Sequence, residues 1–407
     1  MSGPVGVLCA VTGDDEATVV RALASDRGFE VVRRCADLAE LLAAGAAGVG
    51  RVAVVSIDLP GLDREAVGHL HGSGVWVVVV APEAPDSVRA DALGADAVAG
   101  GVAEIAADLR RVLDGCRPAP PVALVEAADR PADGVVVTVW GPTGAPGRTT
   151  LAVNLAAEIA GPPRVDQPTV LLVDADTYGG TVAQVLGLLD EAPGLAAAAR
   201  AAGAGRLDAV GLAALTPRLD GGLRVLTGLS RPDRWPEAPS ASLDGVWAAC
   251  RALADVTVVD CGFAIEQDEA LTYDTRAPQR NAATLSALAV ADVVVVVGAG
   301  DPVGLQRLVR ALGALDELGP AGRRRVVVNR VRASASGPRP REAVREALRR
   351  YAGVPDAVVL PDDQAACDGA LLHARTLAEH APSSALRRAI AGLAAELTPA
   401  GIVAGAH

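Results

Sequence analysis

The sequence predicts an α/β protein built on two parallel sheets wrapped in helices, and three observations carry that prediction. Hydrophobic residues make up 51% of the 407 while aromatic ones make up 2%, so the core must be one of Val, Leu and Ala. Strands read as unbroken apolar runs, as in Ala291-Asp-Val-Val-Val-Val-Val-Gly298, the pattern of strands buried on both faces. Strand and helix signals also alternate along most of the chain. The length suits two domains, each able to bury its own core.

Residues 1–115 form the first alternation. Val5–Val11, Phe29–Arg33, Arg51–Ile57, Val75–Val80 and Ala97–Ala99 read as strands, and Glu16–Ala24, Leu38–Ala43 and Ala103–Leu113 as helices. Residues 116–133, CRPAPPVALVEAADRPAD, are rich in proline and alanine without a period and read as a linker. The second domain then spans 134–400.

That domain opens on VVVTVWGPTGAPGRTTLAVNLAAEIA, Val135 to Ala160: an apolar strand, a glycine-rich turn and a helix. Such a turn aims backbone N–H groups and the positive end of a helix at one spot, which suits a nucleotide's phosphates. Against G-x-x-x-x-G-K-[ST], Gly147 and Thr149 fit, Pro142 stands for the first glycine and Arg148 for the lysine. All 37 basic residues of the chain are arginine, so compositional drift explains Arg148 as well as function does.

The next strand, from Thr169, ends in Asp174 and Asp176, two places apart and so on one face, where both can point at the phosphate end of the site. A capping Asp beside a solvated one is the plainer alternative. Val256-Thr-Val-Val-Asp260 ends in another carboxylate, suited to a magnesium ion through water, and Cys261-Gly262 after it reads as a mobile turn. Arg325 to Arg330 is a strand that carries the Asn329 amide, a partner for an adenine edge, and Ala357 to Pro361 closes the sheet. Asp301-Pro302 caps one helix, and Ser384–Leu397 is a terminal helix docked on the core.

A net charge of −12 argues against a protein that coats nucleic acid over its whole surface. A local patch stays open, since Arg323 to Arg350 holds ten arginines against Glu342 and Glu346. The six cysteines form no C-x-x-C pair, which suggests neither a metal site nor a disulfide framework. With no charged leader and no apolar run of membrane-spanning length, the expectation is a soluble, cytoplasmic protein.

The first domain, with Leu59-Pro60-Gly61-Leu62-Asp63 and Leu93-Gly94-Ala95-Asp96-Ala97 at its loops, resembles response-regulator receiver domains. The resemblance implies an acidic pair, for which Asp14 and Asp15 serve. Ser56 stands at the phosphoryl-acceptor position, Asp58 comes two places late, and Gly100 and Gly101 replace the lysine. A pseudo-receiver working by contact is the reading.

The second domain resembles the MinD/ParA family of deviant P-loop ATPases, and the receiver-like front end narrows this to the CpaE/TadZ branch tied to Flp/Tad pilus assembly. The likeness rests on Gly144-Ala-Pro-Gly147-Arg148-Thr149-Thr150 with Asn154, on Leu171-Leu-Val-Asp174-Ala-Asp176, on Val258-Val-Asp260, on Val328-Asn329-Arg330 and on Leu360-Pro361-Asp362-Asp363. The fold expected is thus an N-terminal degenerate receiver (flavodoxin-like) domain plus a C-terminal P-loop NTPase parallel sheet (MinD/ParA-like).

The resemblance implies ATP and Mg²⁺ as cofactors. Gly144, Ala145, Gly147, Arg148, Thr149 and Thr150 would cradle the phosphates, Thr149 holding Mg²⁺ and Thr150 the α-phosphate. Asp174 and Asp260 would sit around the metal, Asp176 would place the attacking water, and Asn329 with Pro361 would contact adenine. The family's signature lysine belongs at 143, where this chain has Thr143, so hydrolysis is expected to be weak or absent. Arg276 or Arg280 is the candidate to supply the missing charge. The partners implied are a second copy of the chain and pilus or secretion machinery, with membrane contact only through partners. The alternative is a partition or septum-site ATPase that binds DNA or a division partner through Arg323–Arg350.

Overall fold

The computed structural model describes residues 4–13, 15–101, 105–113, 134–144, 147–162, 167–188, 194–219, 221–267 and 279–398. The linker read at 116–133 lies outside them, as do Asp14, Ala145 and Arg276. The chain divides into two compact units, Met1–Pro131 with Arg200–Leu207, and Ala132–Ala199 with Asp208–His407.

In the first unit β1 (Val5–Ala10), β2 (Phe29–Arg34), β3 (Val52–Ser56), β4 (Trp76–Val80) and β5 (Ala97–Ala99) form one parallel sheet in the order β2-β1-β3-β4-β5. This is the flavodoxin-like order, with its switch point between β1 and β3. β3 is buried at every residue, as its run of Val and Ala requires. The helix expected over Leu38–Ala43 runs on to Ala46, since Ala44 and Gly45 extend its buried face, and Asp37 caps it by accepting the Glu40 N–H. At the sheet's carboxyl end the Ser56 hydroxyl accepts the Thr12 N–H at 2.9 Å, and the Thr12 hydroxyl donates to Asp58 at 2.8 Å. Ser56 is therefore buried and already engaged.

In the second unit β6 (Val135–Trp140), β7 (Val170–Ala175), β8 (Arg224–Leu226), β9 (Val256–Cys261), β10 (Val293–Ala299), β11 (Arg323–Val331) and β12 (Val358–Pro361) form a parallel sheet ordered β12-β11-β10-β6-β9-β7-β8. β6 is the central strand, so the loop that leaves it opens between the carboxyl ends of β10 and β9. That is the crevice where open α/β sheets hold ligands. Cys261 is a correction to the sequence reading: it is the last residue of β9, paired with Ala175 and fully buried, so the turn begins only at Gly262.

The helices Arg148–Ala160 and Ala385–Glu396 pack on each other through Leu151, Leu155, Leu386, Ile390 and Leu393. Arg387 adds a two-pronged ion pair to Glu158, at 2.6 and 2.8 Å. The carboxyl-terminal helix thereby fixes the helix that starts at the glycine-rich loop. Among the described residues no helix is long and apolar enough to cross a membrane.

Candidate functional site

The site is built at the junction of β6 and the Arg148–Ala160 helix. Gly147, with φ of +86°, turns the chain into that helix through the left-handed region and offers no side chain to cap it. A side chain there would also run into the amide nitrogen of Asn329. The first-turn N–H groups are thereby left to a ligand, the arrangement that suits phosphate.

Arg148 folds back over its own loop. One guanidinium nitrogen donates to the carbonyls of Gly141 and Pro142, at 3.1 and 3.2 Å, and another lies 3.7 Å from Asp176. Its Nε is buried without a hydrogen-bond partner. Thr143, at the place of the signature lysine, is exposed.

Asp174 and Asp260 face each other in register on β7 and β9. Asp174 accepts the N–H groups of Asp176 and Val182, at 3.2 and 3.1 Å, and Gly180 and Gly228 leave room for its carboxyl. Burial pushes its pKa upward against the pull of the Val182 N–H, and the Asp176 charge adds to the rise. Asp260 is fully buried and neither of its oxygens is met at good hydrogen-bond geometry, although the Thr149 hydroxyl is near enough to act on it. Burial first, then the Asp174 charge, push its carboxyl well above the ordinary range, while the Thr149 hydroxyl pulls the other way. Among the described residues no group of three or more His, Cys, Asp or Glu could hold a metal ion on its own. A cation here would need Thr149, water or phosphate oxygens to complete its shell.

Asp176 lies just beyond the end of β7, and the Tyr178 and Gly179 N–H groups donate to it at 2.9 and 3.1 Å. Arg280 braces this turn. Its guanidinium donates to the Thr177 hydroxyl and carbonyl at 2.9 and 3.1 Å and lies 3.7 Å over the Tyr178 ring and 5.5 Å from that of Trp235. It is thus committed to the turn rather than aimed into the loop.

Beside the loop lies a cavity of about 330 Å³ whose lining includes Gly147, Thr150, Asn329, Arg330, Pro361 and Cys367. Asn329 is presented to it by an irregularity in the β11–β12 pairing between Val328 and Val331, a device that re-aims a side chain. Arg330 there adopts φ of +55°, and its N–H donates to the Asn329 side chain at 2.9 Å. Asn154 supports the other wall, donating to the Thr150 carbonyl at 2.7 Å and accepting the Leu377 N–H at 2.6 Å.

The structure therefore brings Gly147, Thr150, Asn329 and Pro361 to one cavity, and Arg148, Thr149, Asp174, Asp176 and Asp260 to the adjoining end of the loop. Gly144 lies on the loop's outer arm under Arg307, a residue that no motif or spacing in the sequence marks. The positive φ at Arg330 is likewise invisible in sequence, because arginine gives no sign of it.

The second unit is similar to a ParA family ATPase from Chlorobium tepidum, at 20% identity over 65% of this chain and 99% of that one, with a TM-score of 0.55. Its fold is that of the MinD and ParA ATPases. Two archaeal structures agree. The cell division ATPase MinD of Pyrococcus furiosus shares 19% identity over 65% of this chain and 98% of that one, with a TM-score of 0.50. The septum site-determining protein MinD of Pyrococcus horikoshii, complexed with Mg-ADP, shares 20% over 66% and 98%, also with a TM-score of 0.50. No protein-family model and no curated protein matches the chain.

Proposed function

We propose that the second unit binds ATP with Mg²⁺, that binding favours a homodimer, and that the chain hydrolyses ATP slowly or not at all. It would then serve as a positional adaptor for an envelope machine of the Flp/Tad pilus kind. One observation carries the nucleotide reading: Gly147 both opens the uncapped helix and lines the cavity that holds Asn329 and Pro361. Phosphates and a base would then be served from one corner.

Thr149 and Asp260 fit Mg²⁺, since a buried carboxylate without a hydrogen-bond partner facing a hydroxyl is a donor set for a hard cation. Bound there, the ion would neutralise phosphate charge. Arg148 would leave the Gly141 and Pro142 carbonyls for phosphate oxygens, and Asp176 would hold a proton-accepting oxygen near the terminal phosphate. Thr143 supplies no charge, which is why slow turnover is part of the reading. The first unit would act by contact, because Ser56 is buried and bonded to the Thr12 N–H.

A phosphate-release assay run beside a DNA-binding assay tests the function. The proposal expects little turnover and no ATP-dependent DNA binding. The arginine-rich stretch supports the partition alternative less, since Arg324, Arg325, Arg332, Arg339 and Arg349 are already in ion pairs with acids. ATP-dependent DNA binding that falls steeply with salt would favour partition.

A further inference from the structure

Position 143 of the glycine-rich loop holds an uncharged, exposed threonine, yet a guanidinium reaches the loop from another element. Arg307 belongs to the helix Pro302–Leu318, which Asp301 starts by accepting the Val303 and Gly304 N–H groups at 3.0 and 2.9 Å. From its second turn the exposed Arg307 side chain reaches the loop and lies against Gly144, itself exposed, so that a side chain at 144 would meet the guanidinium. Gly144 has φ of +67° and is the residue directly after Thr143. Arg307 is solvent-exposed, and among the described residues it makes no ion pair and no hydrogen bond. By contrast, Arg148 is occupied by Gly141, Pro142 and Asp176, and Arg280 by Thr177, Tyr178 and Trp235.

We propose that Arg307 is a phosphate-contacting residue, supplying from a different helix the positive charge that the loop lacks at Thr143. The inference rests on the nucleotide reading above. A planar guanidinium can take two oxygens of one phosphate, and a charge-assisted pair of this kind is stronger than a neutral hydrogen bond.

The test is calorimetric titration of ATP with Mg²⁺ into the full chain and into Arg307→Gln, Arg307→Lys and Arg310→Gln, each checked for an unchanged melting temperature. Arg310 lies one turn further along the same helix, lining a groove between that helix and the one at Pro340–Ala352. The expected result is about a tenfold loss of affinity in Arg307→Gln, as for one charge-assisted contact, with only part of it restored in Arg307→Lys, which keeps the charge without the two-pronged fork, and no change in Arg310→Gln. Affinity in Arg307→Gln within twofold of the unaltered chain overturns the proposal, as does an equal loss in Arg310→Gln. If the unaltered chain binds no nucleotide, the nucleotide reading fails and takes this one with it.

Discussion

Asp174 and Asp260 stand opposite each other on neighbouring strands, but only one of them is satisfied. Asp174 holds two backbone N–H groups, whereas Asp260 holds none and is fully buried. Two carboxyls in one buried register cannot both ionise cheaply, which is the electrostatic condition a bound cation relieves.

The first prediction concerns Asp260→Asn. The folded-state pKa of Asp260 is raised, so the native carboxyl keeps a proton that the unfolded chain releases, and stability falls as pH rises toward that value. The substitution removes the penalty. Without ligand, Asp260→Asn should be more stable than the unaltered chain at pH 8 by roughly 1 kcal/mol, the size of a modest buried-charge penalty, with the gap closing toward pH 5. Urea unfolding at the two pH values measures it, and lower stability at pH 8 would count against the account. The same variant should lose the Mg²⁺ dependence of ATP binding.

Arg148 gives the second prediction. In the ligand-free fold it bonds to two carbonyls of its own loop, so removing it costs little structure but one phosphate contact. Arg148→Ala should bind ATP at least about tenfold more weakly, as expected for a charge-assisted pair. Calorimetry reads this directly, and affinity within twofold of the unaltered chain would contradict the assigned role.

Arg330 stores backbone strain at the cavity wall, with φ of +55°. Glycine accepts that conformation freely, so Arg330→Gly should raise stability by about 1 kcal/mol, within the range for relieving a left-handed residue. It should at the same time weaken ATP binding, because Arg330 lines the cavity. Thermal unfolding and titration of the one variant check both halves.

Cys367 lines the same cavity and is only partly buried, whereas Cys9, Cys35, Cys250 and Cys261 are buried. Burial also pushes the Cys250 thiol up to about 12 and that of Cys35 up to about 11, and burial with the Asp363 charge raises the Cys367 thiol as well, so it is accessibility that favours Cys367. In a Cys116→Ser background, N-ethylmaleimide should therefore modify Cys367 first, and ATP with Mg²⁺ should slow that reaction. Mass spectrometry follows the modified residue with and without nucleotide.

Much of the fold was legible because the strands bury both faces. A run such as Val293–Val297, β-branched throughout, reads as a strand buried on both faces, and the turn from β6 into the Arg148–Ala160 helix is written in Gly144 and Gly147. The candidate site was legible where it depends on residues at strand ends, as with Asp174, Asp260 and Asn329. Other parts depend on long-range packing and left no mark on the sequence. The reach of Arg307 to Gly144 follows from how the Pro302–Leu318 helix lies beside the loop, and the capture of Arg280 by Tyr178 and Trp235 joins three distant segments. The strand that carries Asp260 was read one residue short because the Cys261 to Ala175 pairing is invisible without the neighbouring strand.

The most direct test of the central claim is a calorimetric titration of ATP with Mg²⁺ into the full chain, with a thermal-shift measurement on the same sample. The account predicts a saturable heat with one nucleotide per chain and a higher melting temperature, both reduced when Mg²⁺ is chelated. No heat and no thermal shift with ATP or ADP would contradict it, and only the MinD/ParA fold would remain.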